Sequence, residues 1–248
     1  RWQCVGQLYC GLVTALGLLL PCGVLVYWLI RGIVAGEPIF PMWQLAWNSL
    51  AVSSIAAIVT VIAALPITVL SVRFSGLISA AVEKITYIGF ALPGIAVALG
   101  IVFFASRYLP WIYQSFWMLI VAYLILFLPA AVGTSRAALL QIHPDLENSA
   151  RSLGKGPFSV MQSITLPLLR PGLIAGFAIV FLLTMKELPA TLILSPLGFK
   201  TLATAVWSAS SEAFFARAAA PALLLIIVSS IPLAILSLKE DTGNSYRR

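Results

Sequence analysis

Charge-free windows recur along the chain, and a window of about 20 residues at ~1.5 Å per residue is long enough to cross a ~30 Å hydrocarbon layer as a helix. The first runs from Leu8 to Ile30 and is closed by Arg31. The second runs from Pro38 to Val72, with its apolar core starting near Asn48. A third, Ile85 to Ser106, lies between Lys84 and Arg107, and a fourth sits within Tyr108 to Ser135, from about Phe116. A fifth begins near Gly172, and the sixth, Ala218 to Leu238, is bracketed by Arg217 and Lys239. No period-two alternation competes with this pattern, which therefore predicts an all-α membrane protein with six transmembrane helices rather than a barrel.

Composition agrees. The chain has 248 residues, of which 61% are hydrophobic and 9% charged, against about 25% charged in a soluble domain. So few charges cannot coat a water-facing surface, which excludes a soluble enzyme or nucleic-acid-binding domain. The net charge of +7 then reads as basic residues holding loops on one side of a membrane, not as a nucleic-acid footprint. With the N-terminus inside, Arg1, Arg73, Lys84, Arg136, Arg151, Lys155, Arg170, Lys239, Arg247 and Arg248 are cytoplasmic. Arg31, Arg107, Lys186, Lys200 and Arg217 are then outside or in the outer membrane half. This split favours both termini, and the long polar loop from Arg136 to Pro171, in the cytoplasm. Cys4, Cys10 and Cys22 lie close together at the start without metal-ligand spacing, and read as small apolar residues in or beside the first helix. Residue 1 is Arg rather than Met, as expected if a leader was removed or the chain is part of a longer polypeptide.

The Arg136–Pro171 loop is longer than adjacent spans need. Pro144 suits a helix's first turn, where its missing N–H would be unpaired anyway. Asp145 and Glu147 follow at the positive end of the helix dipole. Gly154 is placed to end that helix in a left-handed conformation, and Pro157 to open a second short one. Leu146, Ala150 and Leu153 fall on one narrow apolar face, with Ser149 and Ala150 small enough for a partner to approach closely. Without an aromatic anchor, docking on a cytoplasmic protein fits this helix better than lying on lipid headgroups. His143 reads as a solvated loop residue.

The segment NSARSLGKGPFSVMQSITLP resembles the EAA loop of ATP-binding-cassette (ABC) importer permeases. Asn148, Ser149 and Ala150 take the EAA positions, and Gly154, Ile164, Leu166 and Pro167 follow in register. The acidic position is Asn148, with Glu147 one residue early, so the carboxylate that would pair with the ATPase is missing there. The resemblance implies the type I importer (MetI-like) architecture. It also implies that Leu146, Glu147, Asn148, Ser149, Ala150, Leu153, Gly154, Ile164, Leu166 and Pro167 couple the chain to a separate ATP-binding subunit. No phosphate-binding glycine loop is present; the one Gly-Lys pair, Gly154-Lys155, lacks the upstream glycine. The chain is therefore expected to be no enzyme and to need no cofactor, with ATP hydrolysis left to its partner.

The later run KELPATLIL, with LGF and TLA after it, and ALPG at Ala91 to Gly94 and FLPAAV at Phe127 to Val132, resemble bacterial ferric-iron importer permeases. Permeases for thiamine or aminoethylphosphonate are similar. The resemblance covers about Trp47 to Leu238. It divides the chain into a first helix and outer loop (1–45), a permease transmembrane domain (46–238) containing the 136–171 loop, and a cytoplasmic tail (239–248). It implies a bacterial inner-membrane, multi-pass subunit that works with ATPase subunits, a periplasmic substrate-binding protein and either a second permease half or another copy of itself. The chain resembles the C-terminal half of a fused permease. Ferric iron is the expected cargo, yet no resident metal site is visible; Glu37, Glu187 and Glu212, the outer acidic residues, are far apart in sequence.

Counted from Gly172, a spanning helix would pass Thr191, which leaves Lys186 and Glu187 in the outer half of the bilayer. Ionisable groups at that depth face a bundle interior or a wet cavity. Pro189 would kink the helix just beyond them, and Pro93-Gly94 would break the third span. Lys186, Glu187, Pro189, Pro93 and Gly94 are thus the candidate pathway residues; a snorkelling lysine and a structural inter-helix ion pair account for Lys186 and Glu187 equally. An ion-driven transporter would want internal repeats, and a membrane enzyme clustered His or carboxylates; neither is seen.

Overall fold

The structure is a computed structural model that describes the backbone of residues 2–37 and 41–245, with side chains for 5–37, 41–232 and 234. Expectations resting on Arg1, Pro38, Arg247 and Arg248, and on the side chains of Cys4 and Lys239, lie outside the described residues. Among the described residues the structure is helical throughout, without a strand. In chain order the α-helices are α1 (Trp2–Thr14), α2 (Leu20–Val34), α3 (Met42–Arg73), α4 (Leu77–Ile88), α5 (Gly94–Tyr108) and α6 (Phe116–Leu140). They continue with α7 (Pro144–Ser152), α8 (Pro157–Val160), α9 (Leu166–Lys186), α10 (Pro189–Leu194), α11 (Leu202–Ser211) and α12 (Phe215–Ser245). A π-helical turn, Ala15–Leu19, joins α1 to α2, and another, Met161–Thr165, joins α8 to α9.

Five stretches are long and apolar enough to span: Val5–Val34, Met42–Arg73, Phe116–Leu140, Pro157–Lys186 and Phe215–Pro232. The third expected span departs from the plain helix read at Ile85 to Ser106. It is two arms, Leu77–Ala91 and Gly94–Tyr108, bent by 107°, and only as a pair do they make a sixth span. The cause is local. Leu92 precedes a proline, which steers it to extended backbone (φ −83°, ψ 123°), and Pro93 continues it (φ −63°, ψ 137°).

The stretch after α6 is also more helical than the polar pattern suggested. α6 runs on to Leu140, and the fifth span begins at Pro157, not Gly172. Pro167 sits in the first turn of α9, directly after the π turn, where the wider winding leaves room for its ring. With 30 residues from Pro157 to Lys186, the span is complete when it reaches Lys186. That corrects the expected register: Lys186 ends the helix and is exposed, and Glu187 is already extended (φ −70°, ψ 120°). Pro189 kinks nothing; it opens α10 in the first-turn position that tolerates proline.

The chain divides into two compact units, residues 1–49 with 200–228, and residues 50–199 with 229–248. In the first, α11 is entered through a reciprocal cap, in which the Thr201 hydroxyl accepts from the Thr204 N–H while Thr204 Oγ1 accepts from the Thr201 N–H. Ser49 Oγ accepts from the Leu202 N–H at 2.8 Å. Leu202, Ala203, Ala205 and Ala209 are buried, so the segment from Gly198 to Ala216 is mostly a packed helix. Arg217 Nε donates to Glu37 Oε2 at 2.6 Å.

The second unit is built on α6 against α9. Gly172 and Gly176 lie one helical turn apart on α9, and a Cβ at Gly172 would collide with the Ala138 methyl, one at Gly176 with Thr134 Oγ1. Small residues on both helices let the backbones close up, the usual basis of helix association in lipid. Leu139, Ile142 and Leu169 are buried beside this contact, with Leu65, Val69, Val72, Ala138 and Leu173 packed on them.

Candidate functional site

Two junctions in the second unit gather the chain's sequence-selected residues. The first lies around α7. His143 caps this helix, its Nδ1 accepting from the Asp145 N–H at 3.3 Å, while the ring itself is exposed. Pro144 takes the first helical position. Gly154 ends the turn at φ +81°, a left-handed conformation that glycine adopts without a side-chain penalty. Here the Gly154 N–H bonds the Arg151 carbonyl and the Lys155 N–H the Ala150 carbonyl. Pro157 then opens α8. The expected helix–glycine–helix elbow is present.

Its faces differ from the apolar stripe read in the sequence. Leu146 and Leu153 are exposed, the latter by 84%, whereas Ala150 is buried together with Glu147. Asn148, Ser149 and Ser152 are exposed, Ile164 and Leu166 half-buried and Pro167 exposed. The stripe splits because Glu147 and Ala150, three residues apart, share the inward side of a helix of 100° per residue.

What draws Glu147 inward is Arg73, the last residue of α3. Arg73 donates to Glu147 Oε1 from Nη2 (3.1 Å) and Nε (3.3 Å), and from Nη2 to the Ile142 carbonyl (3.0 Å). Thr165, the last residue of the π turn, donates to the same Glu147 oxygen at 3.0 Å. Both charged side chains are largely buried, 14% and 9% exposed. A charge so placed is tolerated when paired and hydrogen-bonded. Nothing in the sequence pattern paired Arg73 with Glu147 across 74 positions; the one signal was an acid displaced by one position from the EAA register.

The second junction gathers the candidate pathway residues except Lys186. The Glu187 carboxylate lies against Gly94, where a Cβ would come within 2.5 Å of Oε1. The same oxygen accepts from the Ala190 N–H at 3.1 Å. Pro93 and Gly94 start α5 and Pro189 starts α10, so this carboxylate faces the positive ends of two helices. Behind it, Thr191 Oγ1 donates to the Glu187 carbonyl and meets the Tyr123 hydroxyl at 2.7 Å. Tyr123 is fully buried on α6 and stacks on Phe127. Sequence reasoning missed Tyr123 and Thr191, which look like ordinary span residues. Among the described residues no three of His, Cys, Asp or Glu come together as a metal site.

Comparison with known proteins decides the class. Residues 56–238 match the family model of the binding-protein-dependent transport system inner membrane component. The chain belongs to this family. It is an ABC permease domain, a transport component and a multi-pass inner-membrane protein. It is 38% identical over 238 residues to the Fe(3+)-transport system permease protein FbpB 2 of Haemophilus influenzae, covering 94% of this chain and 47% of that protein. It is 30% identical over 147 residues to the putative 2-aminoethylphosphonate transport system permease protein PhnV of Salmonella paratyphi A, covering 59% and 56%. The permease chain thus spans about half the length of these curated relatives. Among solved structures, a bacterial alginate ABC transporter in complex with alginate pentasaccharide-bound periplasmic protein superposes with TM-score 0.71 at 17% identity, covering 95% of this chain and 92% of that one. That likeness supports the type I importer permease fold.

Proposed function

We propose that the chain forms part of the translocation pathway of an ATP-driven importer for ferric iron, delivered by an external binding protein. The observation that carries the coupling half of this reading is the α7–Gly154–α8 elbow between α6 and α9, with Leu146, Asn148, Ser149 and Leu153 exposed around it. In this reading those residues seat in a separate ATP-binding subunit, with Gly154 fixing the elbow and Ile164, Leu166 and Pro167 carrying its motion into the fifth span. Glu147 and Ala150 then support the docking face from behind. The excess of basic residues on the elbow's side supports a cytoplasmic position for it and for both termini. That nearly all of this chain matches only 47% of the Fe(3+) permease FbpB 2 supports pairing with a second permease half, in the same polypeptide or as another copy.

Iron rests on the 38% identity to a Fe(3+) permease over nearly the whole chain. The relative of 2-aminoethylphosphonate transport favours a second reading, an oxyanion cargo. In either case Glu187 and Gly94, with Pro93, Pro189 and the neighbouring Lys186, form the pathway's constriction at the mouth of the bent third span. The test is reconstitution of the full importer with its ATPase and binding protein in liposomes. ATP-dependent accumulation of ferric iron supports the proposal. Accumulation of 2-aminoethylphosphonate instead replaces the cargo, and uptake driven by an ion gradient without ATP removes the importer reading.

A further inference from the structure

The position where the family places the EAA carboxylate holds Asn148, and the nearest acid, Glu147, is turned into the chain. Glu147 Oε1 gathers three hydrogen bonds, two from Arg73 and one from Thr165, and Arg73 binds the Ile142 carbonyl as well. The Arg73–Glu147 pair therefore joins four elements: the end of α3, the turn after α6 (through the Ile142 carbonyl), α7 itself and the π turn that begins the fifth span. Beneath it lies the apolar cluster of Leu139, Ile142 and Leu169 with Val69 and Val72 of α3.

α7 has little else to hold it. It is tied to α6 by Gln141 to His143 and to α8 by the turn at Gly154, and it buries only Glu147 and Ala150. A planar guanidinium resists sliding on its acceptors better than a point charge does, and separating the partners would leave a charge buried without compensation. Winding at a π turn is a place where a helix can change register locally.

We infer that Arg73 and Glu147 are positioning residues that make α7, the end of α3 and the start of the fifth span move as one body, so that the electrostatic link of the elbow runs inward rather than to the ATPase. The inference rests on the coupling role of α7 proposed above. The outer face of α7 then docks through uncharged Asn148 and Ser149 with exposed Leu146 and Leu153 at its flank.

The test places nitroxides at Ser152→Cys on α7 and Ile62→Cys on α3, both exposed, in the full importer with its ATPase and with Cys4, Cys10 and Cys22 replaced by Ser. Distances are read by pulsed electron spin resonance without nucleotide and with ATP trapped by vanadate. The linked body predicts one unchanged, narrow distance in the parent. Arg73→Ala and Glu147→Gln should broaden it or shift it with nucleotide by about 5 Å, the scale of a one-turn slip, while Arg73→Lys, which keeps the charge but loses the planar fork, should broaden it less than Arg73→Ala. Should the parent distance itself move with nucleotide, or both variants match the parent, the inference fails. Capture of the ATPase by the parent reports separately on the coupling role: without capture that reading falls, while the distance widths of parent and variants still decide whether the pair holds α7.

Discussion

The carboxylate of Glu187 rests on the α-carbon of Gly94, close enough that no side chain fits between them. This contact joins the start of the fifth span's outer loop to the bend of the third, and it explains why both need their particular residue. Any other residue at 94 would push the carboxylate off two helix N-termini that its charge stabilises.

Gly94→Ala should therefore displace the flexible Glu187 carboxylate and lower stability by about 0.3–1 kcal/mol, the scale of a charge at a helix N-terminus, and reduce uptake by the assembled importer. Combining it with Glu187→Asp, whose shorter side chain withdraws the oxygens, should restore part of the melting temperature. Thermal unfolding in detergent checks both; equal melting of Gly94→Ala and the parent would remove the contact from consideration.

Thr165→Val keeps the shape of the π turn but removes a donor from the buried Glu147 oxygen. A hydrogen bond to a charged group contributes roughly 1.5–3 kcal/mol, so the free energy of unfolding read from chemical denaturation should fall by that scale. Ser163→Ala, on the exposed side of the same turn, should leave the free energy of unfolding within roughly 0.5 kcal/mol of the parent.

Gly154→Ala forces an L side chain into φ +81°, a strain of about 1–2 kcal/mol. Space is not the issue, since nothing lies within 4 Å of the added Cβ. The expected outcome is a chain that inserts and folds yet retains less ATPase on co-purification. Undiminished retention would mean that the elbow angle does not set docking.

Glycines on the spans separate by contact. Gly172→Ala drives a methyl into Ala138 and should destabilise by about 1–3 kcal/mol. Gly100→Ala meets nothing within 4 Å and should be neutral or gain up to about 1 kcal/mol from helix propensity. Parallel melting curves of the two variants make the comparison.

Much of this was legible in the sequence because hydrophobicity along a membrane chain is read directly by length. The windows near Leu8, Asn48, Phe116 and Ala218 all became long helices. The elbow was legible too, since Pro144, Gly154 and Pro157 act locally. What escaped depended on contacts distant in sequence or on winding. The polarity of 136–156 hid how far α6 extends, and the π turn before Pro167 let a helix pass two prolines that would ordinarily delay its start. Glu147 reads in the sequence as an acid one position early for a partner, and only a guanidinium from a different span turns it inward. The meeting of Glu187 with Gly94 was beyond reach for the same reason, although both residues stood out separately.

The arm from Gly94 to Tyr108 has 15 residues, about 22 Å at 1.5 Å per residue, and cannot traverse the oily layer unaided. Its open amide end, like any backbone terminus, has to be met by protein or by hydration, never by acyl chains. The kink therefore demands a moist vestibule or a snug proteinaceous lining at depth, and the lipid must stop short of it.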